Sequence, residues 1–204
     1  MREIDDFINN LIANSGSSSI ENCILHINKA NSADSYKSAF GLINGSELIN
    51  SEYCFRIGSI TKVFTATLIL QFLEEDVFKL EDSFLDHMSQ PNVKILSKLL
   101  YYKDVNYSSK ITIKDLLRHT SGIPDYFSED SRFIDYVMDF PEKQWCWQDI
   151  IHKFFDYGLN KKGKFKSGNG FHYSDTNYLL LAVLLEDISN MRFHEVLEER
   201  ILKP

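Results

Sequence analysis

A serine and a lysine three residues apart open the most strongly patterned apolar segment of the chain. Ser59 and Lys62 stand at the beginning of a predicted helix over Thr61–Glu75. Because residues three apart are neighbours on a helix surface, the lysine amine is expected beside the serine hydroxyl. An amine whose pKa is lowered by burial can remove the serine proton and create a nucleophile. The spacing favours nucleophilic catalysis by Ser59, although a serine at a helix start is most often only a cap.

The position of this pair at a helix start adds a second chemical advantage. Free backbone N–H groups and a partial positive charge at a helix N-terminus can stabilise an oxyanion at a reacting carbonyl. Gly58 precedes the serine and lets a substrate approach the backbone closely, so we predict it as a substrate-binding position.

The surrounding elements follow from periodicity and turn signals. The Thr61–Glu75 helix is apolar on so much of its circumference that it should be central in its domain. Before it we expect a helix, a loop over 14–19 and two strands with a turn at Asn44-Gly45. The bounds are Glu3–Ile12 for that helix and Asn22–Asn28 and Ser35–Ile43 for the strands. After it we expect helices over Val93–Tyr102, Ile113–Arg118, Arg132–Phe140, Trp147–Tyr157 and Thr176–Ser189, with a basic, glycine-rich loop over 161–170.

Composition excludes several functional classes. The net charge of −7 over 204 residues implies no basic face, so neither nucleic acid nor an acidic membrane is an expected partner. Cys23, Cys54 and Cys146 are widely spaced, and neither they nor the histidines form a metal-ligand motif, so we expect no metal and no cofactor. The first residues lack the apolar stretch of a signal peptide. The sequence as written therefore predicts a cytoplasmic location, or a periplasmic or extracellular one if a leader is missing.

Three segments resemble class C β-lactamases and penicillin-binding proteins (D-alanyl-D-alanine carboxypeptidases), in the order in which that family carries them. Phe55–Ala66 is similar to the family's nucleophile segment. Leu116–Asp125 is similar to its His-Thr-Ser-Gly stretch with a following proline, and Tyr173–Leu181 to its Tyr-x-Asn segment and the next helix. Three ordered matches are far more specific than an isolated Ser-x-x-Lys motif.

The resemblance implies an acyl-enzyme mechanism without a cofactor, on a β-lactam, a D-amino peptide or an ester. Ser59 would be acylated and its N–H would supply half of the oxyanion hole. Lys62 and Tyr173 would share the proton transfers, and the choice of base between them stays open. His119 lies in a stretch that the resemblance marks as a structural turn rather than the base. His172, next to the tyrosine, is expected to line the pocket.

The implied fold is α+β and β-lactamase/transpeptidase-like: an antiparallel sheet flanked by helices, plus a mainly helical lobe. We predict an incomplete sheet-and-helix lobe from residues 1–75 and 176–204 and a helical lobe from residues 76–175, with the active site between them. The C-terminal strands of the family, one of which carries a Lys-Thr-Gly or His-x-Gly type motif, have no counterpart here. The missing strands would leave an open sheet edge, through which the chain could associate.

The chain also departs from the family at Asp175, which stands where the family has an asparagine. A carboxylate there would hold Lys62 protonated and weaken it as a base, or it would bind a cationic group of the substrate. Two hypotheses follow. One is a serine hydrolase with Ser59, Lys62 and Tyr173 as catalytic residues and Asp175, Gly58 and His172 as substrate-binding residues. The other is a truncated, non-catalytic remnant that binds a ligand or partner in the same pocket.

Overall fold

The sheet of the N-terminal region forms where the sequence predicts it. The structure, a computed structural model, describes residues 2–13, 21–31 and 35–203, and the loop predicted over 14–19 lies outside the described residues. The contacts within the chain group its residues into two compact units, Met1–Ile57 and Gly58–Pro204. The lobe boundaries expected from the sequence stay a prediction.

The first unit consists of one helix and a three-stranded antiparallel sheet. Helix α1 (Arg2–Ala13) is followed by β1 (Asn22–Asn28), β2 (Ser35–Ile43) and the short β3 (Glu47–Leu48), in the sheet order β1-β2-β3. Asn44 and Gly45 have φ of 53° and 72°, the left-handed conformation that a tight hairpin between β2 and β3 requires. Asp5 of α1 accepts hydrogen bonds from the hydroxyls of Tyr36 and Ser38 on β2. The predicted helix, both strands and the turn are confirmed.

The second unit is mainly helical. Its helices are α2 (Thr61–Glu74), α3 (Gln90–Leu96), α4 (Ile113–Leu117), α5 (Ser131–Asp139), α6 (Trp147–Asp156), α7 (Asp175–Ser189) and α8 (Phe193–Leu197). Between α3 and α4, β4 (Tyr101–Tyr102) and β5 (Val105–Asn106) form an antiparallel hairpin. Among the described residues, no helix is both long enough and apolar enough to cross a membrane.

The helix predicted over Val93–Tyr102 is wrong in its second half. Helix α3 ends at Leu96, and the chain turns into the β4–β5 hairpin. Lys103 and Asp104 have φ of 49° and 63°, so both central residues of the turn are left-handed, as in a type I′ hairpin. The apolar spacing of this segment did not reveal where the helix ends. Leu99 and Leu100 are buried although they lie outside any helix, so they continue the apolar pattern beyond Leu96.

Helices α2 and α7 meet in the core of the second unit and deliver the candidate site residues. Helix α7 contacts α2, α4, α8 and the short helical turn Phe84–His87. It buries Leu180, Leu181, Val183, Leu184 and Leu185, and Leu68, Ile69 and Phe72 of α2 belong to the same core. Helix α2 is central only in part, because its Val63 and Leu70 are 65% and 46% exposed.

Candidate active site

Ser59 lies in a short 3₁₀ turn, Gly58–Ile60, that leads directly into α2. Gly58 has φ of +54°, a conformation that L-residues with a side chain rarely adopt, and a Cβ there would meet no atom within 4 Å. The glycine is therefore required by the backbone, and the space beside it is open. Ser59 is exposed, and Lys62 lies in the first turn of α2.

The hydroxyls of Ser59 and Tyr173 and the amine of Lys62 converge. Ser59 Oγ is 2.9 Å from Tyr173 Oη, and Lys62 Nζ donates a hydrogen bond of 3.2 Å to Ser59 Oγ. Lys62 Nζ also lies 5.1 Å from the centroid of the Tyr173 ring and 5.6 Å from that of Tyr178, within the range of cation–π attraction. Residues separated by more than one hundred positions thus meet around one serine oxygen.

Asp175 is the fourth member of the group and the first residue of α7. Its Oδ1 accepts a hydrogen bond of 2.5 Å from Lys62 Nζ, in an ion pair whose side chains are only 17% and 27% exposed. Burial lowers the pKa of Lys62, but the hydrogen bonds and charges of Asp175 and Tyr173 outweigh burial, so this pKa is raised above 10.5. Lys62 is therefore an ammonium at neutral pH and serves as a donor to Ser59.

A buried carboxylate that sequence reasoning missed holds Asp175 in place. Asp125 is 3% exposed, and its Oδ1 accepts the backbone N–H of Asp175 at 2.8 Å. Its other oxygen accepts hydrogen bonds from the backbone N–H and the hydroxyl of Ser128. Burial raises the pKa of the neighbouring Tyr126 to about 12, and the charges of Asp175 and Asp125 add to the effect. The proline-aspartate pair at 124–125 was visible in the sequence, but its partner fifty residues away was not.

The segment after α4 forms a tightly bonded turn beneath Tyr173. His119 has φ of +57° and Gly122 of +79°, and a Cβ on Gly122 would lie 2.2 Å from the carbonyl oxygen of Phe165. The hydroxyl of Ser121, which is fully buried, donates to Asn177 Oδ1 at 2.6 Å. Asn177 on α7 is a second polar residue to which sequence reasoning gave no role.

His172 is not among the contacts of the Ser59 group. Its Nε2 lies 3.5 Å from Glu129 Oε2, and Glu129 also pairs with Lys164. The structure thus brings Ser59, Lys62, Tyr173 and Asp175 together beside Gly58, while the side chain of His172 lies near the ion pair of Glu129 and Lys164. Among the described residues, no group of three or more histidine, cysteine or acidic side chains is placed to hold a metal.

The fold that carries this group of residues is β-lactamase/transpeptidase-like. Residues 36–204 match the family described as Beta-lactamase, and the chain belongs to that family. Its curated relatives include penicillin-binding protein 4* of Bacillus subtilis, 29% identical over 171 residues, or 83% of this chain and 33% of that protein. Protein flp of Staphylococcus aureus is 31% identical over 154 residues, or 74% of this chain and 26% of that protein.

Solved structures agree on the fold. The octameric penicillin-binding protein homologue from Pyrococcus abyssi superimposes with a TM-score of 0.74 at 26% identity, covering 99% of this chain and 42% of that one. A D-stereospecific amidohydrolase from Streptomyces sp. gives 0.64 at 27% identity, covering 84% and 46%. A D-amino acid amidase from Ochrobactrum anthropi SV3 gives 0.70 at 19% identity, covering 98% and 49%, a likeness of fold alone. The chain spans about a third or less of these two curated relatives and under half of these three solved chains.

Proposed function

We propose that the chain carries the nucleophilic centre of a serine hydrolase that works through an acyl-enzyme. The observation that carries this proposal is the convergence of Tyr173 Oη and Lys62 Nζ on Ser59 Oγ, at 2.9 and 3.2 Å. Both distances allow hydrogen bonding, which is the geometry that proton transfer from a nucleophile needs.

The protonation state of Lys62 assigns the direction of proton transfer. Since its raised pKa keeps it an ammonium, Lys62 donates to Ser59 Oγ and cannot take the serine proton. The other hydrogen-bond partner of Ser59 is Tyr173. As Ser59 Oγ bonds to the substrate carbonyl carbon, the phenol oxygen takes the Ser59 proton and gives its own hydroxyl proton to the leaving group, so the phenol is neutral before and after the step. The bond to the leaving group breaks as the carbonyl re-forms, and water later cleaves the acyl ester and restores the Ser59 hydroxyl. The backbone N–H of Ser59 is one donor to the oxyanion.

The substrate class is an acyl compound that can reach an exposed serine: a β-lactam, a D-amino peptide or an ester. Relatives named penicillin-binding protein and a structural neighbour named D-stereospecific amidohydrolase support the first two. Asp175 lies at the site with part of its carboxylate exposed and favours substrates with a cationic group close to the scissile bond. None of the contacts of His172 gives it a role in substrate binding, so its predicted place lining the pocket stays a prediction.

The ion pair between Lys62 and Asp175 favours a second candidate, a non-catalytic remnant that binds a ligand or partner. A lysine held as an ammonium by a carboxylate at 2.5 Å has lost its capacity as a base. If Tyr173 cannot take the place of Lys62 in accepting the serine proton, the site binds a ligand without catalysing its hydrolysis.

A fluorophosphonate probe separates the two candidates. We expect covalent labelling of the folded chain, one adduct per chain by intact-mass spectrometry, and its loss in Ser59→Ala. Ser89→Ala is the matched control, because Ser89 is bonded to Asp187, away from the Ser59 group, and labelling should persist. Equal labelling of Ser59→Ala and the unmodified chain contradicts the assignment of the nucleophile. No labelling of folded chain, where a penicillin-binding protein reacts, favours the remnant.

A further inference from the structure

His119 is in ring contact with the tyrosine of the site. Its ring lies 4.5 Å from that of Tyr173 at an interplanar angle of 30°, and 5.2 Å from that of Tyr178 at 34°. Its backbone carbonyl accepts the N–H of His172 at 2.9 Å, which ties the segment leading into Tyr173 to the same residue. The side chain and the backbone of His119 therefore both act on the segment that carries Tyr173.

Two donors converge on one nitrogen of this imidazole. The backbone N–H of Ser174 donates to His119 Nδ1 at 3.2 Å. The side-chain nitrogen of Asn177 lies 3.1 Å from the same atom, and the oxygen of that amide is already engaged by Ser121. An Nδ1 that accepts from two N–H groups carries no proton, so the ring is neutral with its hydrogen on Nε2.

Burial of His119 favours this neutral state, while the charged groups around it act in both directions. Burial lowers the pKa of His119 below 6.5, and the ammonium of Lys62 on α2 lowers it further. The carboxylates of Asp175 on α7 and of Asp125, six residues after His119, act in the opposite direction without reversing the shift. Tyr173 and Tyr178 are the titratable groups in ring contact with His119, and burial raises the pKa of Tyr178.

We propose that neutral His119 is a positioning residue for Tyr173, and that a proton on its Nδ1 disables the site. The proton would face the N–H of Ser174 and the amide nitrogen of Asn177, which are both donors. It would also place a second cation beside Lys62. The backbone at 173–174 then loses its acceptor and the phenol its fixed distance from Ser59. This inference rests on the proposed function, in which Tyr173 exchanges a proton with Ser59.

The test is the pH dependence of fluorophosphonate labelling at Ser59 between pH 5 and pH 9. In the unmodified chain the labelling rate should fall about tenfold per pH unit below the pKa of His119, as for a single essential neutral group. His119→Asn is the informative variant, because asparagine tolerates the left-handed backbone, offers an acceptor oxygen and does not titrate. We expect it to retain labelling at pH 8 within about tenfold and to lose the acidic decline.

A control variant and a second measurement complete the test. His87→Asn alters a histidine paired with Asp82 outside the site and should keep the acidic decline. An acidic decline that persists unchanged in His119→Asn overturns the inference while leaving Ser59 as the nucleophile. If Ser59 is never labelled, the proposed function fails and NMR of the folded chain decides the inference alone. We then expect an unprotonated Nδ1 and Tyr173 ring signals that titrate with His119, whereas a protonated Nδ1 at pH 7 contradicts it.

Discussion

Helices α2 and α7 are similarly apolar in sequence but differ in how much of their surface is packed against neighbours. Both carry apolar residues around most of their circumference, and the first turn of each contributes a residue to the Ser59 group, Lys62 from α2 and Asp175 from α7. Helix α7 is packed on several sides, by α2, α4, α8 and the Phe84–His87 turn. Helix α2 leaves Val63, Thr67 and Leu70 exposed, at spacings that place them on one side. An apolar pattern therefore predicts a helix and its hydrophobicity, but which side is covered depends on the neighbours.

The difference extends to the polar ends of the two helices. The first turn of α7 contains Thr176 and Asn177, which are fully buried and hydrogen-bonded. The turn that leads into α2 contains Ser59, which is exposed. A buried, hydrogen-bonded helix start thus holds Asp175, with Tyr173 two residues before it, beside the Ser59 hydroxyl. In the proposed mechanism this arrangement keeps the distances fixed while leaving the serine oxygen accessible.

The largest expected effect contrasts a leucine on each helix. Leu184 of α7 is fully buried and Leu70 of α2 is 46% exposed. Leu184→Ala should lower the free energy of unfolding by about 2–5 kcal/mol, because it leaves a cavity in the core. Leu70→Ala should change it by less than about 0.5 kcal/mol. Urea unfolding followed by tryptophan fluorescence is the measurement, since both tryptophans, Trp145 and Trp147, belong to the second unit.

Equal losses in the two variants would contradict this contrast. A large loss for Leu70→Ala would mean that a surface covers the exposed side of α2 in solution. Its dependence on protein concentration would then identify association between chains.

A smaller effect is expected at the buried start of α7. Asn177→Ala removes the acceptor of Ser121 and the donor to His119, and it should cost about 1–3 kcal/mol of unfolding free energy. Asn169→Ala, at an exposed position in the loop before α7, is the matched control and should be near neutral. Urea midpoints of the two variants give the comparison. A neutral Asn177→Ala would show that the polar network does not hold this helix start.

The sequence was sufficient for much of the fold and for the meeting of Ser59, Lys62 and Tyr173. Helix and strand bounds followed from local periodicity, as for Asn22–Asn28 and Ser35–Ile43, because each pattern is set by residues a few positions apart. The partners of Asp125, Asn177 and His119 could not be predicted, since their hydrogen bonds join residues fifty or more positions apart. The ion pair between Lys62 and Asp175 was one of two expectations for this carboxylate, which replaces an amide within a motif of known position.

The smallest expected effect concerns the ion pair between Lys62 and Asp175 and appears only in the pH dependence of the unfolding free energy. Since the pKa of Lys62 is raised above 10.5 in the folded chain, the folded state holds this proton more tightly than the unfolded state. The resulting stabilisation is complete below pH 10.5 and is lost as the pH rises through the folded value. Asp175→Asn removes the partner, so its unfolding free energy should fall less between pH 8 and pH 11, by about 1 kcal/mol or less.

Glu81→Gln is the control for Asp175→Asn, because it breaks an exposed pair with Lys114 whose side chains are 71% and 44% exposed. Water screens that pair, so the variant should lose as much stability between pH 8 and pH 11 as the unmodified chain. Other groups that titrate in this range are common to all three proteins and cancel in the comparison. The same alkaline loss in Asp175→Asn and Glu81→Gln would mean that the pair at the site is as weak as one on the surface. The carboxylate would then not be what keeps Lys62 an ammonium, and the assignment of the serine proton to Tyr173 would lose that support.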